Sequence, residues 1–199
     1  MDLLLATGNQ KKLAELEIIL ANFPVKLHTL KSFPNISEVE ETGKTFEENA
    51  ILKAQGYAAQ TQMLTLAEDS GICVDALEGA PGVYSARFAG PDKDDDANNQ
   101  KILRLLQKVP DNCRGAYYAC VIALASPKKL IGTVRGEVRG GISHSLKGDG
   151  GFGYDPLFYY PPYQKTFGEV SAEMKHRVSH RAQALNRFKE MFEGYLAKT

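Results

Sequence analysis

The sequence predicts an α/β fold with a mixed central β-sheet flanked by helices. In the first half of the chain, short apolar strands alternate with helical patterns, as in parallel β-α-β units. In the second half, two long strand-like stretches, 116–125 and 130–138, are joined by the four residues Ser-Pro-Lys-Lys, a linker typical of an antiparallel hairpin. Because both kinds of connection occur in one chain, we expect parallel and antiparallel strands in the same sheet.

Each predicted element rests on a local pattern. Leu13, Leu16, Ile19 and Leu20 recur at helical spacing and mark the buried face of the first helix. Thr45 followed three residues later by Glu48 is the capping-box signature of a helix start. The predicted strands are 3–6, 25–30, 64–67, 72–75, 116–125 and 130–138, and the predicted helices are about 10–21, 45–62, 94–107 and 178–197.

Length and composition limit the classes of protein to consider. At 199 residues the chain suits a single domain, 1–199, that can bury a sizeable core. Its 24 basic and 24 acidic residues balance, which argues against nucleic-acid or membrane-surface partners, since both favour a basic excess. The apolar run at the start is too short for a secretory signal and carries an acid, so we expect a cytoplasmic protein.

The three cysteines, Cys73, Cys113 and Cys120, are odd in number and show no C-x-x-C spacing. This predicts neither a zinc site nor a disulfide framework. Their apolar neighbours predict buried free thiols.

The segment 148–156 contains four glycines in six residues, together with Phe152, Tyr154 and Asp155. Glycines allow the backbone to approach a ligand closely, and the side chains supply two flat faces and one carboxylate. This combination suits a planar ligand such as a nucleobase. The alternative is a glycine-rich hairpin whose aromatic rings belong to the core.

The residues after the first predicted strand suit a phosphate group. A helix opens here, and helix N-termini present unpaired N–H groups and a partial positive charge. The two lysines lie in the first turn, where they are unfavourable for the helix itself. The alternative is a capped helix with solvated lysines. The residues are Thr7, Gly8, Asn9, Gln10, Lys11 and Lys12.

The sequence Glu68-Asp69-Ser70-Gly71 is predicted at the carboxyl end of an apolar strand, where α/β folds gather ligands. Adjacent carboxylates are hard oxygen ligands suited to Mg²⁺, or a metal ligand beside a general base. The acidic run 38–41 could close on the same metal. The alternatives are a simple strand-to-turn corner and a solvated acidic loop.

Two further patterns place polar or basic side chains where they could bind a ligand. Asn49 and Lys53 lie four residues apart on one face of the second helix. Near the end of the chain, Lys175, His180 and Arg181 could bind a carbonyl or a phosphate group. For this last group the alternative is a helix capped by Ser179 with basic surface residues.

Taken together, these motifs resemble the inosine/xanthosine triphosphate pyrophosphatase family. The resemblance covers nearly the whole chain, with six motifs in the family's order. They are T-G-N-x-x-K from Thr7, E-T-G-x-T-F-x-x-N-A-x-x-K-A from Glu41, D-S-G from Asp69, A-P-G-x-Y-S-A-R from Ala80, G-G-F-G-Y-D-P from Gly150 and S-H-R from Ser179.

The resemblance implies a mixed-sheet α/β fold of two lobes with a substrate cleft between them, assembled as a homodimer. It implies Mg²⁺-dependent hydrolysis of (deoxy)inosine and xanthosine triphosphates to the monophosphate and pyrophosphate. The substrate is a small-molecule nucleotide, with no nucleic acid or membrane as partner.

The resemblance also implies roles for individual residues. Asp69 would be the general base, and the metal would lie on Glu41 and Asp69 with help from Glu68, although the division of labour among the acids stays open. The implied substrate-binding residues are Thr7, Gly8, Asn9, Gln10, Lys11, Lys12, Lys53, Ser70, Phe152, Gly153, Tyr154, Asp155, Lys175, His180 and Arg181.

Three other functions compete with this interpretation. The first is a pyrophosphatase for modified pyrimidine nucleotides on a similar fold. The second is a nucleotide sensor without turnover, which would not need the acids at Glu41, Glu68 and Asp69. The third is RNA binding, which the zero net charge disfavours.

Overall fold

The computed structural model describes residues 1–21 and 23–198 and contains a seven-stranded sheet and five α-helices in that part of the chain. The strands are β1 Asp2–Leu5, β2 Lys26–Thr29, β3 Leu64–Val74, β4 Gly115–Ala125, β5 Leu130–Ile142, β6 Phe158–Tyr160 and β7 Lys165–Thr166. The helices are α1 Gln10–Leu20, α2 Phe46–Thr61, α3 Asp95–Leu105, α4 Ala172–Val178 and α5 His180–Leu196.

The sheet is mixed, as the sequence predicts. Its strand order is β2-β1-β3-β4-β5-β6-β7. Strand β1 pairs in parallel with both β2 and β3, whereas β6 pairs antiparallel with β5 and β7. The parallel strands are those joined through helices, as expected for β-α-β connections. The predicted α/β class with a mixed sheet is confirmed.

The third strand differs from the prediction. Two short strands separated by a turn at 68–71 were expected, but β3 runs unbroken through these residues. Gly71 serves a close approach rather than a turn, because a Cβ atom there would lie 2.3 Å from the Oγ of Ser85. The same Ser85 hydroxyl accepts a hydrogen bond of 2.9 Å from the backbone N–H of Ile72. The acidic pair therefore lies within a strand, not at a corner.

The end of the chain also differs from the prediction. The helix expected at about 178–197 is confirmed as α5, which begins two residues later at His180, but α4, which ends at Val178, was not predicted. Ser179 has an extended backbone that breaks the helix, and its hydroxyl accepts the N–H of Ala182 at 3.2 Å, so it caps α5. Strands β6 and β7, of three and two residues, are too short to produce a recognisable periodicity.

The chain divides into two compact units, each with its own apolar core. Unit 1 comprises Met1–Asp69, Cys120–Gly136 and Gln183–Thr199, and unit 2 comprises Ser70–Ala119 and Glu137–Ala182. In unit 1, leucines of β1 and β3 pack with the phenylalanines of α5. In unit 2, aromatic residues of β4 and β6 pack with residues of α3.

Two of the predicted details can be checked residue by residue. The capping box at Thr45 and Glu48 is present at the start of α2, as predicted. Cys73 and Cys120 are buried, as predicted, but the prediction is wrong for Cys113, which is exposed at the end of a 3₁₀ turn. Within the described residues, no helix has the length and apolar character needed to cross a membrane.

Buried Arg114 ties the end of α3 to the start of β4 within unit 2. Its guanidinium donates hydrogen bonds to the backbone carbonyls of Leu106 at 2.7 Å, Ile142 at 2.8 Å and Ser143 at 3.0 Å. Its planar fork of five N–H donors can serve several carbonyls at once.

We expect Arg114→Met to lower the free energy of unfolding by about 1–3 kcal/mol, because buried carbonyls lose their donors. Urea denaturation followed by circular dichroism measures the change. Arg104→Met, at an exposed arginine in the last turn of α3, is the matched control and should change stability little. Equal denaturation midpoints for Arg114→Met and the wild type would contradict this role.

Candidate active site

The first group of candidate residues lies in unit 1, where the strands that follow β1 are added on opposite sides of it. From β1 the chain passes through α1 to β2 on one side, and later through α2 to β3 on the other side. Such a switch point is the usual ligand site of an open α/β sheet. The pairing of β1 with β3 ends at Leu5 and Leu66, so Thr7 to Asn9 and the pair Glu68-Asp69 both follow that end.

Asn9 caps the helix that follows β1. Its side-chain Oδ1 accepts the backbone N–H of Lys12 at 3.3 Å, and its own N–H donates to the Oγ1 of Thr7 at 3.2 Å. A Cβ atom added at Gly8 would meet nothing within 4 Å, so the backbone of this turn is open to a ligand. The side chains of Gln10 and Lys11, also predicted to bind substrate, lie outside the described part of the structure.

Lys53 brings two carboxylates together. Its Nζ lies 3.2 Å from Oε1 of Glu41 and 3.3 Å from Oδ1 of Asp69. One carboxylate comes from the acidic loop before α2 and the other from β3. The sequence predicted all three residues as site residues, and the structure brings them together.

Buried Asn49 connects the same two segments. Its Nδ2 donates to Oδ2 of Asp69 at 3.3 Å, and its Oδ1 accepts the backbone N–H of Gly43 at 2.8 Å. Asn49 has no exposed surface, and it lies one helical turn before Lys53 on α2. A single helix face therefore orients the Asp69 carboxylate and holds the loop that carries Glu41.

The loop with Glu41 is also held farther along α2. The backbone N–H of Ser37 donates to Oε1 of Gln60 at 2.8 Å, and Nε2 of Gln60 donates back to the Ser37 carbonyl at 3.1 Å. The N–H of Val39 donates to the hydroxyl of Tyr57 at 3.3 Å. The backbone of the acidic run is therefore docked on the helix, while the side chains of Glu38 and Glu40 are exposed to solvent.

Glu68 has a different partner from Asp69. Its carboxylate, 1% exposed, lies 2.8 Å from Nζ of Lys12. Consecutive side chains of a strand point to opposite faces, so the unbroken strand β3 directs the side chains of Glu68 and Asp69 to opposite faces.

The residues described so far form one group in unit 1. We call this group the acid–lysine cluster; it comprises Asn9, Lys12, Glu41, Asn49, Lys53, Glu68 and Asp69.

Burial raises the pKa of Asp69 above its ordinary value, and the negative charge of Glu41 acts in the same direction. Lys53, Lys12 and the hydrogen bond from Asn49 oppose this shift. A carboxylate with a raised pKa binds protons more strongly, which suits a group that takes a proton from water.

The donor set fits Mg²⁺. This ion is usually held by one or two carboxylates, with waters and substrate phosphates completing its ligands. Glu41 and Asp69 come from separate segments and both lie beside the Lys53 ammonium group, so two carboxylates are available close together. Among the residues that the structure describes, no group of three or more His, Cys, Asp or Glu side chains forms a metal site. The predicted contribution of Glu68 to the metal stays a prediction.

A second group of candidate residues lies in unit 2 around Asp155. This carboxylate is 1% exposed and accepts the backbone N–H of Phe152 at 2.9 Å, Nζ of Lys175 at 2.5 Å and the hydroxyl of Tyr118 at 3.4 Å. Gly151 must be glycine, because its φ is +75° and a Cβ atom would lie 2.1 Å from Oδ2 of Asp155.

Basic side chains surround the ring of Phe152. Nζ of Lys175 lies 4.5 Å from the ring centroid, and the guanidinium carbon of Arg181 lies 5.7 Å from it. Nη2 of Arg181 also donates to the hydroxyl of Ser70 at 3.4 Å. The structure thus gathers most of the predicted residues of the glycine-rich loop and the S-H-R motif. We call Ser70, Tyr118, Phe152, Asp155, Lys175, His180 and Arg181 the aromatic–basic cluster.

Gly153 and Tyr154 are held by other parts of unit 2. Tyr154 is buried, its hydroxyl donates to the Ser85 carbonyl at 2.6 Å, and burial raises its pKa above its ordinary value. The N–H of Gly153 donates to Oδ2 of Asp95 at 2.7 Å, and its carbonyl accepts Nδ2 of Asn99 at 2.8 Å. The predicted contacts of both residues with substrate stay predictions.

Sequence reasoning missed three of these residues as parts of the site, namely Asp95, Asn99 and Tyr118. It singled out Asn49 together with Lys53, but nothing in the sequence identified the two partners of Asn49. Asp95 and Asn99 lie four residues apart on one face of α3, which was a usable signal. Tyr118 resembles any aromatic residue of a core strand.

The fold and the acid–lysine cluster define an α/β protein with converging carboxylates and lysines at a strand switch point. The Ham1 family model matches residues 3–191, and the chain belongs to the Ham1 family. A dITP/XTP pyrophosphatase from Desulforamulus reducens is 52% identical over 191 residues, covering 96% of this chain and 95% of that protein. One from Listeria monocytogenes is 46% identical over 188 residues, covering 94% and 93%.

Solved structures agree with this membership. A HAM1 protein from Coxiella burnetii superposes with a TM-score of 0.92 at 38% identity, covering 98% of this chain and 99% of that chain. A nucleoside-triphosphatase / dITP/XTP pyrophosphatase from Mycobacterium abscessus has a TM-score of 0.82 at 41% identity, covering 94% and 97%. The family and fold that the motifs predicted are therefore confirmed.

We expect Asn49→Ala to raise the pKa of Asp69 further, because a donor that stabilises the charged carboxylate is lost. The free energy of unfolding should also fall by about 1–3 kcal/mol, since the N–H of Gly43 loses its acceptor. Carbon-detected NMR titration of the aspartate carboxyls measures the first effect, and urea denaturation the second.

Asn98→Ala is the matched control for this experiment. Asn98 is equally buried, and its amide accepts from the N–H of Ala89 and donates to the carbonyl of Ala86 within unit 2. This variant should lose stability but leave the titration of Asp69 unchanged. An Asp69 titration in Asn49→Ala that matches the wild type would refute the orienting role of Asn49.

Proposed function

We propose that this protein hydrolyses non-canonical purine nucleoside triphosphates, namely those of inosine, deoxyinosine and xanthosine, to the monophosphate and pyrophosphate. The observation that carries the proposal is the convergence of Glu41 and Asp69 on Lys53 at the switch point of the sheet. The names of the relatives from Desulforamulus reducens and Listeria monocytogenes support the same activity. Removing such nucleotides would keep them out of the nucleotide pool.

The acid–lysine cluster would bind the triphosphate and carry out the reaction. Glu41 and Asp69 would hold Mg²⁺, which when bound neutralises charge on the phosphate oxygens. Asn9, Lys12 and Lys53 would hold the phosphates. Asp69 would take a proton from the water that attacks the α-phosphorus, and the bond from that phosphorus to the bridging oxygen would break to release pyrophosphate.

Three ion pairs in the cluster support these assignments. The pairing of Lys12 with the buried Glu68 holds an ammonium group beside the start of α1, where a phosphate would also meet the helix N–H groups. Lys53 lies beside both proposed metal ligands, so it would meet the same phosphate oxygens as the metal.

The aromatic–basic cluster would bind the base. Phe152 would stack on the purine, and Lys175, His180 and Arg181 would line its edge. Hypoxanthine and xanthine carry a 6-oxo group, which accepts hydrogen bonds, where adenine carries an amino group. Donors such as the Arg181 guanidinium would therefore favour the oxo bases over adenine. Guanine also carries a 6-oxo group, and it would be excluded by a site that gives its 2-amino group no acceptor or a clash.

We further propose that residues 1–199 form one catalytic domain that assembles as a homodimer in the cytoplasm. The balanced charge of the chain supports a small-molecule substrate rather than a nucleic acid or a membrane surface.

A panel of nucleoside triphosphates incubated with Mg²⁺ tests the function, with pyrophosphate and orthophosphate measured separately. We expect fast release of pyrophosphate from inosine and xanthosine triphosphates and very slow reaction of adenosine and guanosine triphosphates. A preference for modified pyrimidine nucleotides would overturn the proposed specificity for purine bases. Saturable binding without turnover would instead identify a nucleotide sensor.

We expect Asp69→Asn to lower kcat by about 10²–10⁴-fold, the usual contribution of a general base. Binding of a non-hydrolysable inosine triphosphate analogue, measured by calorimetry, should weaken only modestly because the amide still accepts hydrogen bonds. Glu190→Gln, at an exposed acid of α5, is the control and should keep wild-type activity. Unchanged turnover in Asp69→Asn would contradict the assignment of Asp69 as the general base.

A further inference from the structure

We propose that Tyr118 is a positioning residue that sets base selectivity by holding His180 and Asp155 of the aromatic–basic cluster. The inference rests on the proposed function, because it concerns how that substrate's base is selected. Tyr118 lies on β4, within the core of unit 2, and stands in none of the sequence motifs.

The ring of Tyr118 stacks on the imidazole of His180. Their centroids are 4.7 Å apart, and the planes are inclined by only 8°. At this separation two nearly parallel rings make an offset stack, which favours one ring plane over others. The plane in which His180 presents its nitrogens is thus determined by a residue of the sheet.

The hydroxyl of Tyr118 reaches the second member of the cluster. It donates to Oδ1 of Asp155 at 3.4 Å, while Oδ2 accepts from Phe152 and Lys175. Burial keeps the pKa of Tyr118 well above its ordinary value, so the hydroxyl retains its proton and stays a donor. Each oxygen of this buried carboxylate therefore has a donor, which fixes its rotation.

Tyr118 is itself well fixed. Its ring packs against Phe158 with centroids 4.7 Å apart and against Phe167 with centroids 6.4 Å apart. It extends from the middle of a regular strand, whereas Asp155 lies in the glycine-rich loop and His180 begins α5. One rigid side chain thus sets the geometry of two segments that carry the proposed base contacts.

This placement predicts a specific kind of defect. Hydrogen-bonding groups discriminate between bases only when they are held at the correct distance and angle. Loss of Tyr118 contacts should therefore weaken binding and selectivity, while the chemistry at Asp69 continues. A residue needed only for stability would instead lower the amount of folded enzyme, which leaves KM and the preference between substrates unchanged.

Tyr118→Phe and Tyr118→Leu separate the two contacts. The phenylalanine variant keeps the stack and removes the hydrogen bond, whereas the leucine variant removes both. Tyr117→Phe is the matched control, since Tyr117 is the preceding residue of β4, points to the opposite face and contacts Arg139. Arg181→Ala serves as the positive reference, because its guanidinium is a proposed donor to the base.

Steady-state release of pyrophosphate from inosine and adenosine triphosphates is measured for every variant. We expect Tyr118→Phe to raise the KM for inosine triphosphate by about 3–10-fold with kcat within about twofold, as for the loss of one hydrogen bond of ordinary strength. We expect Tyr118→Leu to lower the preference for inosine over adenosine triphosphate by about tenfold or more. Tyr117→Phe should match the wild type.

Two results would overturn the inference in different ways. If Arg181→Ala changes the preference but Tyr118→Phe retains the wild-type KM, the hydrogen bond to Asp155 does not position the base contacts, and the inference that Tyr118 holds both Asp155 and His180 is overturned. This decision needs only the conservative variant, so it stands even if Tyr118→Leu fails to fold. If the wild type releases no pyrophosphate from inosine triphosphate, the proposed function fails and this inference fails with it.

Discussion

The burial of the Asp69 carboxylate is the constraint on which the candidate site depends. A buried charge is tolerated only when charged and hydrogen-bonding groups compensate for the water it has lost. Lys53 and Asn49 supply this compensation from successive turns of α2. The same two side chains reach Glu41 and Gly43 in the preceding loop, so stabilising one carboxylate also brings the second into place. The closeness of these two carboxylates is thus a consequence of satisfying a buried charge.

In unit 2, the buried carboxylate of Asp155 is also compensated by hydrogen-bond donors, but by a different set of them. A backbone N–H, an ammonium group and a phenolic hydroxyl surround this carboxylate, and each comes from a different element. Gly151 permits the loop to approach so closely that no side chain would fit. Because these elements all donate to one carboxylate, the ring of Phe152 and the basic groups beside it are held close to one another.

Much of the fold and of the site could be predicted from local pattern. Apolar periodicity located the helices and the long strands, and the capping box placed the start of α2 within one residue. Motif order led to the correct family. The failures were places where local sequence conflicts with tertiary contact. Gly71 suggested a turn, yet it accommodates Ser85 inside a strand, and the short helix α4 before Ser179 was not predicted.

The sequence by itself determined which residue types are available and on which elements they lie, because helix and strand periodicity are properties of neighbouring residues. It could not determine which donor meets which acceptor, since those partners are far apart in the chain. Only the tertiary structure paired Glu68 with Lys12 and Asp69 with Lys53, through the alternation of side chains along an unbroken β3. Only the tertiary structure placed the Tyr118 ring against His180, because a contact between β4 and α5 depends on how the chain packs.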